Sequence, residues 1–152
     1  MKRRTLVSAA ATLAAAVALP AVGKNTLPRV EVYKDPNCGC CGAWVDHLRA
    51  AGFPVVVKEV PDPGAVRKRH GIPDRYGSCH TGLVAGYALE GHVPADEVKR
   101  LLAQKPAGAG LAVPGMPVGS PGMEVGARKD PFQVLFIDKA GGASVFATYP
   151  KI

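Results

Sequence analysis

The 152-residue chain is poor in aromatic residues, at 6%, and carries only 12 acidic residues against 19 Lys and Arg. A basic chain invites a nucleic-acid reading, but no aromatic side chains interleave the run Arg67-Lys68-Arg69-His70. That run reads as a solvated helix face, and nucleic acid is excluded as the expected partner. Long apolar runs are lacking too. The stretch at residues 6–19 is too short for an ordinary transmembrane helix. It follows Lys2-Arg3-Arg4 and leads into small residues, which are the three parts of an export signal. Helix-rich architecture is excluded by the 18 Gly and 14 Pro, about a fifth of the chain.

Cleavage after Gly23 would put Ala21 and Gly23 at the two small-residue positions of the signal. The expected organisation is therefore an export signal peptide at 1–23 and a single domain at 24–152. Arg3-Arg4 also fits a twin-arginine signal, so the export route stays open between that and the general secretory path. Losing residues 1–23 removes three basic charges and no acidic ones, leaving 16 against 12 in the mature chain. The expected location is the periplasm, with no membrane attachment once the signal is gone.

Within the domain, residues 29–33 (RVEVY) alternate and read as a strand ending in a turn. Residues 42–51 place Trp44, Val45, Leu48 and Ala51 at helical spacing, with Gly52 as a stop. Residues 54–60 (PVVVKEV) read as a second strand, parallel to the first because a helix joins them. A short helix is expected over 62–70, a strand over 81–87 and a turn at Glu90-Gly91. A second strong helix is expected over 94–104, with Pro94 at its start and acids in its first turn. Residues 106–128 are rich in Gly and Pro and read as irregular. Residues 132–137 and 143–149 form a hairpin across 138–142. This order predicts an α/β, thioredoxin-like fold: a small mixed sheet flanked by helices, a Gly/Pro-rich loop and a C-terminal β-hairpin.

The four cysteines carry the chemistry. Cys38, Cys40 and Cys41 crowd into four residues between the first strand and the first helix, where a helix N-terminus favours thiolate. A purely structural disulfide would not crowd three thiols into one turn, and a local bridge closes a loop too small to stabilise much. The sequence lacks a histidine after Cys41, which excludes covalent c-type haem. It also lacks the two separated C-x-x-C pairs usual for zinc and any iron–sulfur spacing. Cys38 and Cys41 do form one C-x-x-C pair, so thiol–disulfide chemistry stays open beside metal binding.

Further donors follow. Cys79 adjoins His80, His92 ends a strand before a helix, and Met116 and Met123 stand seven positions apart in the Gly/Pro loop. Thiolate, thioether and imidazole together suit Cu(I) rather than a hard ion. His47 reads as solvated and His70 as part of the basic run.

The motifs Asp35-Pro36-Asn37-Cys38-Gly39-Cys40-Cys41-Gly42, Ser78-Cys79-His80-Thr81, Glu90-Gly91-His92-Val93-Pro94, Gly110-Leu111-Ala112-Val113-Pro114-Gly115-Met116-Pro117 and Gly119-Ser120-Pro121-Gly122-Met123-Glu124 stand in one order along nearly the whole mature chain. In these the chain resembles the CopG-like family of small periplasmic copper-resistance proteins. The resemblance implies a thioredoxin-like fold and a copper site, able to hold more than one ion, built around the C-x-C-C cysteines. Carried over residue by residue, it offers Cys38, Cys40, Cys41, Cys79, His80, His92, Met116 and Met123 as metal ligands. Unlike thioredoxins, the chain has Cys79-His80-Thr81 where their cis-proline segment stands. The expected function is periplasmic Cu(I) binding in copper sequestration or copper redox handling, with copper and another copper-handling protein as partners. The rival is a thiol–disulfide oxidoreductase using Cys38 and Cys41, with Cys40 or Cys79 as the resolving thiol.

Overall fold

The computed structural model describes residues 26–151; the export signal expected at 1–23 lies outside the described residues. Alternation of Val30 and Val32 with polar residues makes β1 (Val30–Lys34), which leads into α1 (Cys40–Ala50) and returns as β2 (Val55–Glu59). β1 and β2 pair in parallel, as a strand–helix–strand crossover requires. The chain continues through α2 (Pro63–Arg69), whose first turn is capped by the Asp62 side chain accepting the Ala65 N–H at 3.1 Å. A short 3-10 turn at Asp74–Tyr76 leads to β3 (His80–Val84), β4 (Tyr87–Glu90) and α3 (Ala95–Gln104). β5 (Gly110–Ala112), β6 (Phe132–Ile137) and β7 (Ala143–Tyr149) complete one mixed sheet in the order β2-β1-β3-β4-β5-β6-β7. The mixed α/β class and the C-terminal hairpin are as the sequence predicts.

Three local expectations are corrected. The strand expected over 81–87 ends at Val84 and turns at Ala85-Gly86, so that β3 and β4 form a tight antiparallel hairpin. Both turn residues have positive φ, 47° and 88°, the geometry that matches strand twist in a two-residue loop. The Gly/Pro-rich stretch is not wholly irregular, because Gly110–Ala112 enters the sheet parallel to β4 and antiparallel to β6. Finally, α1 begins at Cys40, two residues earlier than the hydrophobic spacing suggests, so two cysteines belong to the helix itself.

The sheet has two covered faces. On one, Trp44, Val45 and Leu48 of α1 and Val98 and Leu101 of α3 pack against Val30, Val32, Leu89 and Leu111. On the other, Ile72 packs with Ala88, Ala112 and Ile137 beside Tyr76. Alternation along β4 and β5 explains the split: Ala88 and Ala112 face one way, Leu89 and Leu111 the other. Full burial of each large aliphatic side chain contributes about 1.5–3 kcal/mol. Trp44 is fully buried and donates its indole N–H to the Val93 carbonyl at 2.9 Å, tying α1 to the segment that enters α3. No helix among the described residues is long and apolar enough to cross a membrane.

Candidate metal centre

The parallel crossover delivers the head of α1 to the end of β1, and the β3–β4 hairpin delivers a second segment beside it. Gly39 caps α1 without a side-chain acceptor, and in the first turn the Gly42 N–H donates to the Gly39 carbonyl at 3.2 Å. Cys38 and Cys41 are joined by a disulfide with their Cα atoms 5.7 Å apart, and Cys40 and Cys79 are free thiols. The Cys79 sulfur lies 3.8 Å from that of Cys40 and 3.6 Å from that of Cys41; the Cys38 and Cys40 sulfurs are 3.5 Å apart. Two thiolates sharing a tetrahedral ion at about 2.3 Å each stand about 3.8 Å apart, so the spacing suits a shared metal.

Two imidazoles complete the cluster. His80 Nδ1 lies 3.3 Å from the Cys79 sulfur and His92 Nε2 lies 3.9 Å from it. On their far sides, His80 Nε2–H donates to the Gly91 carbonyl at 3.0 Å and His92 Nδ1–H donates to the Pro121 carbonyl at 2.8 Å. Those bonds select tautomers that turn the remaining lone pairs toward Cys79, the arrangement that orients a metal-binding histidine. Burial holds the His80 pKa down to about 3, with the neighbouring His92 adding to the effect. Burial also lowers that of His92. Both rings are therefore neutral at pH 7 and ready as donors. The Cys79 thiol is pushed up to about 12, first by burial and then by Cys40 beside it. A metal ion must displace that proton.

Two overlapping donor groups result: Cys38, Cys40, Cys41 and Cys79, and then Cys79, His80 and His92, each with its ligand atoms within 4.8 Å of one another. Cys79 is common to both. The cluster is reachable, because Cys38 and Cys79 line a cleft of about 490 Å³ with Asp35, Asp62 and Arg67 on its walls.

The methionine loop divides. Residues 121–122 sit on the cluster: Pro121 holds His92, and Gly122, at φ 86°, lies so close to α1 that a Cβ there would stand 2.7 Å from the Trp44 nitrogen. Only glycine fits that approach. Met123 follows, half-buried, with its N–H bonded to the Ser120 carbonyl at 2.8 Å. Met116 stands 44% exposed on the surface of the same loop.

Other sequence expectations need revision. His47 is not solvated: it is half-buried and its Nε2 accepts the Ala95 N–H at 3.0 Å, capping α3. Arg67 does not belong to a solvated run. Its side chain is only 12% exposed and reaches Asp74 at 2.6 Å and Glu90 at 3.5 Å. Glu90 itself is fully buried in β4, accepting the Ser78 N–H at 2.6 Å and the Thr81 hydroxyl at 2.7 Å. Sequence reasoning gives it no role. The available signal was an acid closing an otherwise apolar strand, Tyr87-Ala88-Leu89-Glu90.

Residues 76–123, which hold Cys79, His80, His92, Met116 and Met123, match the family described as "Protein of unknown function, DUF411". No curated protein matches the chain. Two solved structures, "Copper resistance protein copG- Form 2" and "Copper resistance protein copG- Form 1", are each 48% identical to it. Each alignment covers 82% of this chain and 99% of the other, with TM-scores of 0.78 and 0.77. At that identity over that length, the chain belongs to the family of the copper resistance protein CopG.

Proposed function

We propose that the domain at 24–152 binds Cu(I) in the periplasm, after removal of residues 1–23, and acts in copper sequestration or copper redox handling. The observation that carries the reading is the convergence of Cys38, Cys40, Cys41, His80 and His92 around the single sulfur of Cys79. Thiolate and imidazole are the donors that hold Cu(I). Copper is the cargo. Cys38, Cys40, Cys41 and Cys79 supply sulfur that can bridge more than one ion, His80 and His92 supply nitrogen, and Met123 and Met116 supply thioether from the loop above. The copper-resistance names of the related structures support the same metal. The strand order β2-β1-β3-β4, with cysteines at the head of α1, supports a thioredoxin-like reading of the first four strands.

Anaerobic titration of the reduced protein with Cu(I) against a competing chelator tests the proposal. Tight uptake by the wild type, and its loss when Cys38, Cys40 and Cys41 are all replaced by Ser, are the expected results. Absence of uptake, or uptake unchanged in the triple variant, would refute it.

The Cys38–Cys41 disulfide favours a second reading, dithiol–disulfide chemistry at the same place. Oxidation of that pair releases two electrons and two protons, which balances reduction of two Cu(II) to two Cu(I). The same electrons could instead go to a protein disulfide. Turnover in an insulin-reduction assay would support the oxidoreductase, and inertness there would leave copper as the electron partner.

A further inference from the structure

The metal-binding donors do not include the α2 face of the sheet, yet a fully buried carboxylate lies there. Glu90 closes β4 beside Ala88 and Leu89, both fully buried, and is itself fully buried. An apolar side chain would fill that position without the cost of burying a carboxylate.

Its contacts are divided. Oε1 accepts the Ser78 N–H at 2.6 Å and the Ser78 hydroxyl at 3.1 Å, and faces Arg67 Nη1 at 3.5 Å. Oε2 accepts the Thr81 hydroxyl at 2.7 Å. One oxygen thus grips the residue before Cys79-His80 and the other grips the residue after it. Side chains alternate across the strand, so with Thr81 held from the α2 face, His80 is aimed at the opposite face. There its ring lies 4.4 Å from that of Trp44.

We propose that Glu90 is the positioning residue of the metal centre: by clamping Ser78 and Thr81 together it fixes where the Cys79 sulfur and the His80 ring stand. The assignment rests on the copper-binding reading for its purpose, though not for its geometry. A carboxylate suits the task because it is an acceptor at both oxygens. In Glu90→Gln only one side-chain oxygen remains to accept, so either the Ser78 N–H or the Thr81 hydroxyl loses its acceptor.

The test uses the mature domain and its E90Q, C79S and C79S/E90Q variants, with far-UV circular dichroism to confirm folding. In the metal-free disulfide form, alkylation of Cys79 by N-ethylmaleimide is followed by mass spectrometry. E90Q is expected to alkylate Cys79 several-fold faster than wild type. In the reduced form, E90Q is expected to weaken Cu(I) binding by about 10-fold or more, the usual effect of removing a group that orients a ligand. That loss should be smaller in the C79S background, where only the His80 ring is left to misplace. Wild-type alkylation and affinity in E90Q would overturn the proposal, as would an equal loss in C79S/E90Q, which would mark a general effect on stability. Should E90Q fail to fold, T81V deletes the Oε2 contact, with the longer 3.5 Å contact to the Pro63 carbonyl, leaves the Ser78 contacts in place and is judged by the same criteria. Failure of the wild type to bind Cu(I) would refute the copper reading, while the alkylation rates would still decide the role of Glu90.

Discussion

Two buried glutamates divide the molecule into a working end and a holding end. Glu90, beneath the cysteine cluster, is bound mostly by neutral donors from Ser78 and Thr81, with Arg67 at 3.5 Å, and burial raises its pKa. Glu97, in the first turn of α3, is 2% exposed and burial pulls its pKa up as well. There the bonds from Lys151 at 3.0 Å and the Tyr149 hydroxyl at 2.8 Å, with Arg100 at 2.8 Å, outweigh it and leave the net shift downward. One carboxylate is surrounded for placement, the other for charge neutralisation. The difference teaches that burial alone does not mark a functional acid; what its partners are attached to does. The partners of Glu90 flank a candidate metal ligand, whereas those of Glu97 tie the C-terminal strand to a helix.

The contrast should collapse first at Trp44, which packs in the main core and lies against His80. Replacing Trp44 by Ala should cost about 3–5 kcal/mol, read by urea unfolding, and should weaken Cu(I) binding as well. Loss of stability with copper binding intact would show that the ring does not support His80. Cys79→Ser should separate the ends from the other direction. It removes the donor shared by both groups, so Cu(I) affinity should fall by more than about 100-fold in chelator competition, beyond the loss that orienting residues cause. Its unfolding free energy should stay within about 1 kcal/mol of wild type.

Glu97→Gln should do the reverse. It should lower stability by about 1–2 kcal/mol, a figure reduced because Arg100 and Lys151 are well exposed, and leave Cu(I) affinity unchanged. A shift in affinity would erase the division between the ends. The smallest effect is in acid. A carboxylate with a lowered folded-state pKa stabilises the fold above its unfolded value, about 4.3, and loses that contribution as pH falls through the folded value. Wild type should therefore lose more stability than E97Q on going from pH 5 downward, and parallel curves would remove Glu97 from the account.

The working end was legible in the sequence to the extent that its chemistry is local. Three cysteines in four residues and a Cys-His pair announce themselves, and the helical spacing of Trp44, Val45 and Leu48 places them at the head of α1. Which turn of the Gly/Pro loop lies against α1 was not legible, since spacing there does not tell which turn a helix will press upon; Gly122 marks it through its approach to Trp44. The β3–β4 turn was missed because Ala85 takes a positive φ that alanine rarely adopts. β5 was missed because three residues form a strand only when β4 and β6 already flank them. Arg67 escaped because it stands in a run of basic residues, and Glu90 because the acid that closes an apolar strand reads equally well as the start of a turn at Glu90-Gly91.

The donors of the candidate centre come from separate stretches of chain: the Cys40 and Cys79 sulfurs are 39 positions apart and His92 is 13 beyond Cys79. The unfolded polypeptide therefore keeps the local cysteine turn at 38–41 but does not bring Cys79, His80 and His92 to it. Cargo and architecture are thermodynamically linked: whatever ion the centre prefers stabilises the fold that holds it, by at most about 4 kcal/mol at a thousandfold excess over its dissociation constant, and so raises its melting temperature. A melting curve then doubles as an assay of occupancy.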